Sequence, residues 1–130
     1  MTPAESLIAS SVLTWLMLLV ASLARAHGWT PAGLKVAFGN RDDVPPPTAF
    51  AGRADRAAKN MVENLVLFAA LLLAATWAQV PQATLALPCL IFVVARVVYA
   101  LLYWAGVKYL RTLVWTVSII SLSMIARAIV

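Results

Sequence analysis

Two stripes of polar residues run through otherwise apolar sequence, and they hold most of the chemistry open to this chain. The first lies in RADRAAKNMVENLVLF, Arg53 to Phe68. Read as a helix, Arg53, Arg56, Asn60 and Glu63 are spaced by three, four and three residues. They fall within roughly 80° of one another, with Asn64 beside them. The second stripe is Arg96, Tyr99 and Tyr103, within roughly 60° on one helix face, with Cys89 and Phe92 extending it. Arg111 follows, on a face shared with Trp115, Ser118 and Leu122. Taken together, Arg56, Arg96 and Arg111 outnumber the one carboxylate, Glu63, which leaves positive charge to spare. Guanidiniums pair with carboxylates in a two-point fork and can stabilise a thiolate, so the group reads as an anion site.

Other chemistries are poorly supplied. His27 is the only histidine and sits at a helix end, so no base is at hand to activate Ser118, Ser121 or Ser123; these read as helix-packing residues. Cys89 is the only cysteine. No internal disulfide, thiol pair or cysteine-based zinc cluster can form, and a histidine-based metal site is not expected either. Thiol chemistry would have to come from a bound cofactor. The net charge of +5 is not a nucleic-acid signature, because the basic residues form no run and lipid-like sequence separates them.

The elements that carry these stripes are membrane spans. Apolar residues make up 63% of the 130 and charged residues 12%, about half the usual charged share. Leu7 to Ala24 gives 18 residues without a charge, close to the ~20 a spanning helix needs. A signal peptide is the alternative, given Ala24-Arg25-Ala26, but Glu5 and no Lys or Arg precedes the apolar run. Residues 28–52 form a loop with four of the five glycines and Pro45-Pro46-Pro47, with room for a helical turn around Leu34 to Phe38. Spans are expected at about 4–27, 55–78, 83–105 and 109–128. Val80-Pro81-Gln82 separates the second from the third, and Pro88 should bend or loosen the third. The five tryptophans read as interface anchors. The fold class is therefore all-α, an integral membrane four-helix bundle forming a single domain over residues 1–130. The basic residues gather in the first and third loops, so the positive-inside rule puts those loops in the cytoplasm and both termini on the non-cytoplasmic side.

Antiparallel spans bring Glu63 and Arg96 to a similar depth. A mid-membrane charge costs ~2.5–3.5 kcal/mol, so the two are expected to pair, directly or through a ligand. A plainer reading makes this a structural ion pair, with Tyr99 and Tyr103 as belt residues and Arg111 as an ordinary cytoplasmic anchor. That reading leaves Arg56, Asn60, Asn64 and Arg111 gathered at one level without a reason.

RADRAAKNMVEN resembles the second-helix signature of the MAPEG family (membrane-associated proteins in eicosanoid and glutathione metabolism), which has the form R-A-x-x-N-x-x-E. ARVVYALLYWAGVKYLRT resembles its segment from helix three to helix four, and Ala37-Phe38-Gly39-Asn40-Arg41-Asp42-Asp43 is similar to wording of its first loop. The resemblance implies four-helix subunits assembled as homotrimers, with glutathione bound as co-substrate between neighbours. Carried over by position, it implies glutathione contacts at Arg56, Asn60, Glu63, Tyr99 and Tyr103. It places the buried arginine of the block at Arg96, counted with the glutathione-binding residues, and the thiol-activating arginine at Arg111, with Thr112 where some members have serine. Many members carry another arginine near the end of helix one; the nearest here are Arg25 and Lys35, and neither aligns cleanly. Position 64 is Asn where one branch has Tyr.

The resemblance thus implies a membrane-embedded glutathione-dependent transferase or peroxidase acting on lipophilic electrophiles. Its partners would be the lipid bilayer, glutathione and a lipophilic small-molecule acceptor, with no nucleic acid. Two alternatives stay open. One is a small four-helix transporter of hydrophobic cations, which needs a membrane carboxylate and would have to use Glu63. The other is a binding or scaffold protein that keeps the assembly without catalysis.

Overall fold

The computed structural model describes residues 1–130. Five helices follow one another: α1 (Pro3–Ala26), α2 (Pro31–Phe38), α3 (Ala49–Trp77), α4 (Gln82–Ala105) and α5 (Leu110–Ile129). There are no strands. All but the short α2 are long and apolar enough to cross a membrane. They run up and down, so α2, the start of α3 and the α4–α5 turn lie at one end, the loop end. Both termini and the α3–α4 link lie at the other, the terminal end.

Each start has a local cause. Thr2 caps α1 in a reciprocal box with Glu5, and Pro3 sits in the first turn, where its missing N–H costs nothing. Thr48 caps α3, its hydroxyl accepting from the amide of Ala51 at 3.1 Å. This start lies earlier than Asp55, where the polar-to-apolar change in sequence places it; the signal is a threonine directly after the proline triplet. Thr30 caps α2 in the same manner. Gly33 lets α2 fold back on the end of α1, since a Cβ there would stand 1.9 Å from the His27 carbonyl oxygen.

The interior has two clusters. Near the loop end, Ala54, Ala57, Ala58 and Met61 of α3 face Met17 and Ala21 of α1, with Tyr99, Ala100 and Tyr103 of α4. Small side chains let the backbones approach closely, which is how membrane helices gain contact without a hydrophobic driving force between them. Nearer the terminal end, Phe68 and Leu72 of α3 meet Leu85 and Phe92 of α4 and Leu122 and Ile125 of α5. The Phe68 and Phe92 rings stack with centroids 4.1 Å apart. Cys89 is buried in this cluster.

Serines knit the bundle. The Ser121 hydroxyl donates to the Pro88 carbonyl at 2.6 Å, tying α5 to the proline turn of α4. Thr14 and Ser6 on the inner face of α1 return their hydroxyls to their own helix, satisfying groups that lipid could not.

Candidate functional site

At the loop end the start of α3, the last turn of α4 and the start of α5 enclose a cavity of about 770 Å³. Its walls carry Arg53 and Arg56 from α3, Lys108 from the α4–α5 turn and Arg111 from α5, and no carboxylate. Thr48, Gly52, Tyr103 and Thr112 complete much of the lining. A second cavity of about 260 Å³ shares Tyr103, Arg111 and Thr112 with the first and continues to Asn60 on α3, Tyr99 on α4 and Trp115 on α5.

The side chains on this wall are held by one another. The Arg111 guanidinium lies 4.5 Å from the centre of the Tyr103 ring, and its Nε donates to the Lys108 carbonyl at 3.1 Å. The Tyr103 and Tyr99 rings are tilted at 58° to each other with centroids 5.3 Å apart. Beneath Tyr99 is Arg96, fully buried, its guanidinium 4.3 Å from the Tyr99 ring centre. Its Nη2 donates to Asn60 Oδ1 at 2.9 Å and its Nε to Met61 Sδ at 3.3 Å. Asn60 also meets Asn64, whose amide donates to the Asn60 carbonyl at 2.8 Å.

Arg56, Asn60, Tyr99, Tyr103 and Arg111 are thus brought to the two adjoining cavities. Two expected residues are not on the walls. Arg96 lies behind them and is joined to the wall through its hydrogen bond to Asn60. Glu63 is exposed on the outer side of α3 and lines neither cavity. The expected direct pairing of Glu63 with Arg96 does not form in the single chain, because the arginine reaches α3 at Asn60 and Met61, a turn nearer the loop end. Matching depths along two helices cannot distinguish acceptors one turn apart. The amide oxygen of Asn60 was the nearer one.

Lys108 and Thr48 belong to the cavity wall but carry no signal in the polar stripes. Lys108 reads in sequence as a helix-end charge, and Thr48 becomes visible only once the cap after Pro47 is recognised. Arg25 and Lys35 are elsewhere. Arg25 is held by the first loop, donating to the Pro45 carbonyl, and Lys35 is exposed on α2. Of the α3 stripe, Arg56 and Glu63 stay exposed, Arg53 and Asn60 are half-buried and Asn64 is buried.

The donor set suits a ligand with more than one anionic group. Fork-shaped and point cations line the mouth, and tyrosine and tryptophan side chains line the deeper part.

The MAPEG family model matches residues 3–130, essentially the whole chain. No curated protein and no solved structure matches. The family match, the four apolar spans and the cationic cavity at their loop end agree, and the chain belongs to the MAPEG family.

Proposed function

We propose that this protein is a glutathione-dependent transferase or peroxidase of the membrane, acting on lipophilic electrophiles. One observation carries the reading: Arg111 and Tyr103 form a wall common to both cavities, one of which has four cations and no carboxylate. Glutathione supplies the thiol. Arg56 and Lys108 meet its carboxylates, and Tyr99 and Tyr103 flank it. Asn60, fixed by Arg96, offers it an amide. Glu63 takes its amino group from the outer face of α3, which a neighbouring subunit would close. Arg111 favours the ionised sulfur as any adjacent positive charge does, and the amides at the start of α5 act in the same sense.

In conjugation the thiol proton is released, the sulfur forms a bond to an electrophilic carbon, and the leaving group departs with its electron pair. In peroxidase turnover two thiols are oxidised to a disulfide while a hydroperoxide is reduced to alcohol and water. The protein's share is orientation and electrostatic stabilisation of the anion.

A homotrimer belongs to the same reading, supported by the family match and by a polar stripe on α3 that lipid cannot satisfy. The basic loop end faces the cytoplasm, with both termini on the opposite side. Reporter fusions at Val130 and after Gln79 should both report the non-cytoplasmic side; a cytoplasmic signal at Val130 contradicts this orientation. A transporter of hydrophobic cations is disfavoured by the four cations on the cavity wall. Titrating glutathione into the solubilised protein, then assaying an activated aryl chloride and a fatty-acid hydroperoxide, tests the reading. Saturable binding with turnover supports it, binding without turnover leaves a scaffold, and no binding overturns it.

A further inference from the structure

The last turn of α4 closes on Gly106, at φ +80°. The Gly106 amide donates to the Tyr103 carbonyl at 3.1 Å and the Val107 amide to the Leu102 carbonyl at 3.0 Å. This is a Schellman closure, which satisfies two of the orphan carbonyls at a helix end and leaves others to find side chains. The carbonyl of Trp104 is met from another helix: Arg53 of α3 donates to it through Nη2 at 3.3 Å. A guanidinium at that position also faces the negative end of the α4 dipole. It lies flat against the turn, since a Cβ on Gly106 would stand 3.4 Å from Arg53 Cζ and 3.5 Å from Nε. Glycine at position 106 is required by its left-handed backbone; a Cβ there would meet the arginine only in ordinary van der Waals contact.

Everything that holds Arg111 hangs on this turn. The Lys108 carbonyl that accepts from Arg111 Nε is two residues past Gly106. The Tyr103 ring beneath the guanidinium is three residues before it. Arg53 sits one helical turn before Arg56 and two before Asn60 on the same helix. It therefore joins the helix carrying the anion contacts to the turn carrying the thiol-facing arginine.

We propose that Arg53 is a positioning residue: it clamps the α4–α5 turn to α3 and thereby sets Arg111 in register with Arg56 and Asn60. The consequence for turnover rests on the glutathione reading; the clamp itself does not.

The test compares the full-length protein in lipid nanodiscs with Arg53→Ala, Arg53→Lys and Gly106→Ala. Two readouts are taken: hydrogen exchange of the backbone, and glutathione titrations followed by thiolate absorbance and turnover. Arg53→Ala should speed exchange of the amides of residues 107–112 roughly tenfold, as local openings do when a tie is lost, with no change around Phe92. Its kcat should fall roughly ten- to a hundredfold, as with misplaced catalytic groups, and by more than KM rises through the loss of one of four wall cations; the thiolate signal should fall with kcat. Arg53→Lys keeps a charge and a donor and should restore most of the exchange protection. Gly106→Ala strains the left-handed turn itself and should also speed exchange at 107–112, with Arg53 still in place. Unchanged exchange at 107–112 overturns the clamp. Faster exchange with wild-type kcat and thiolate signal overturns the positioning role and leaves the glutathione reading standing. If the wild type itself gives no thiolate signal, the glutathione reading fails separately, and the exchange comparison still decides the clamp. Should Arg53→Ala not fold, Arg53→Lys carries the same readouts with a smaller expected change.

Discussion

The two ends of this bundle are built on different principles. Near the terminal end, Phe68, Leu72, Phe92, Leu122 and Ile125 fill the space between three helices with large apolar groups. At the loop end the inner face of α3 is mostly alanine, and beside Met17 and Met61 the large groups are tyrosines with polar tips and arginines. Large apolar side chains hold helices together by filling volume. Alanines do so by letting backbones approach, which leaves the outer and terminal positions of the same helices free to carry charge. One helix, α3, does both, changing over near Asn64. The contrast separates a region that holds the fold from one that carries the candidate site.

The largest effect should come from breaking the apolar region. Phe92→Ala removes a stacked, fully buried ring and should cost ~3–5 kcal/mol, read from denaturant unfolding in mild detergent. The protein that remains folded should bind glutathione as the wild type does. Loss of binding per folded molecule would show that the two regions are not separable.

Next comes the joint between them. Asn60→Ala leaves a buried guanidinium N–H without its acceptor and should cost about 1–3 kcal/mol, together with weaker glutathione binding. Unaltered stability would mean that Arg96 readily finds another acceptor.

The smallest stability change is expected at Glu63. Being exposed and not bonded to Arg96, its replacement by Gln should shift unfolding of the glutathione-free protein by no more than ~0.5 kcal/mol. Glutathione binding should weaken about tenfold, the scale of a lost charged hydrogen bond. A large stability loss in Glu63→Gln would restore the buried pair that the sequence suggests.

Much of this contrast is legible in the sequence. Uncharged runs such as Leu7 to Ala24 mark the spans, and the three-four-three spacing of Arg53, Arg56, Asn60 and Glu63 marks the stripe. The pairing of Arg96 is not legible, because helix depth estimated to a turn leaves Asn60 and Glu63 as equal acceptors; only packing against Met61 separates them. The early start of α3 is hidden because Gly52 and Asp55 look like loop, whereas the decisive residue is Thr48. The role of Lys108 depends on how the turn after Gly106 folds toward α3, and no periodicity encodes that.

The central claim is that Arg111 faces the sulfur of bound glutathione. Its most direct test is to titrate glutathione into wild type and Arg111→Ala, following thiolate absorbance and turnover together. The account predicts that Arg111→Ala loses roughly a hundredfold or more in rate, the scale of a lost anion-stabilising donor. The thiolate signal should fall in parallel, and affinity should change far less because Arg56 and Lys108 remain. An Arg111→Ala protein with the wild-type thiolate signal and the wild-type rate would contradict it.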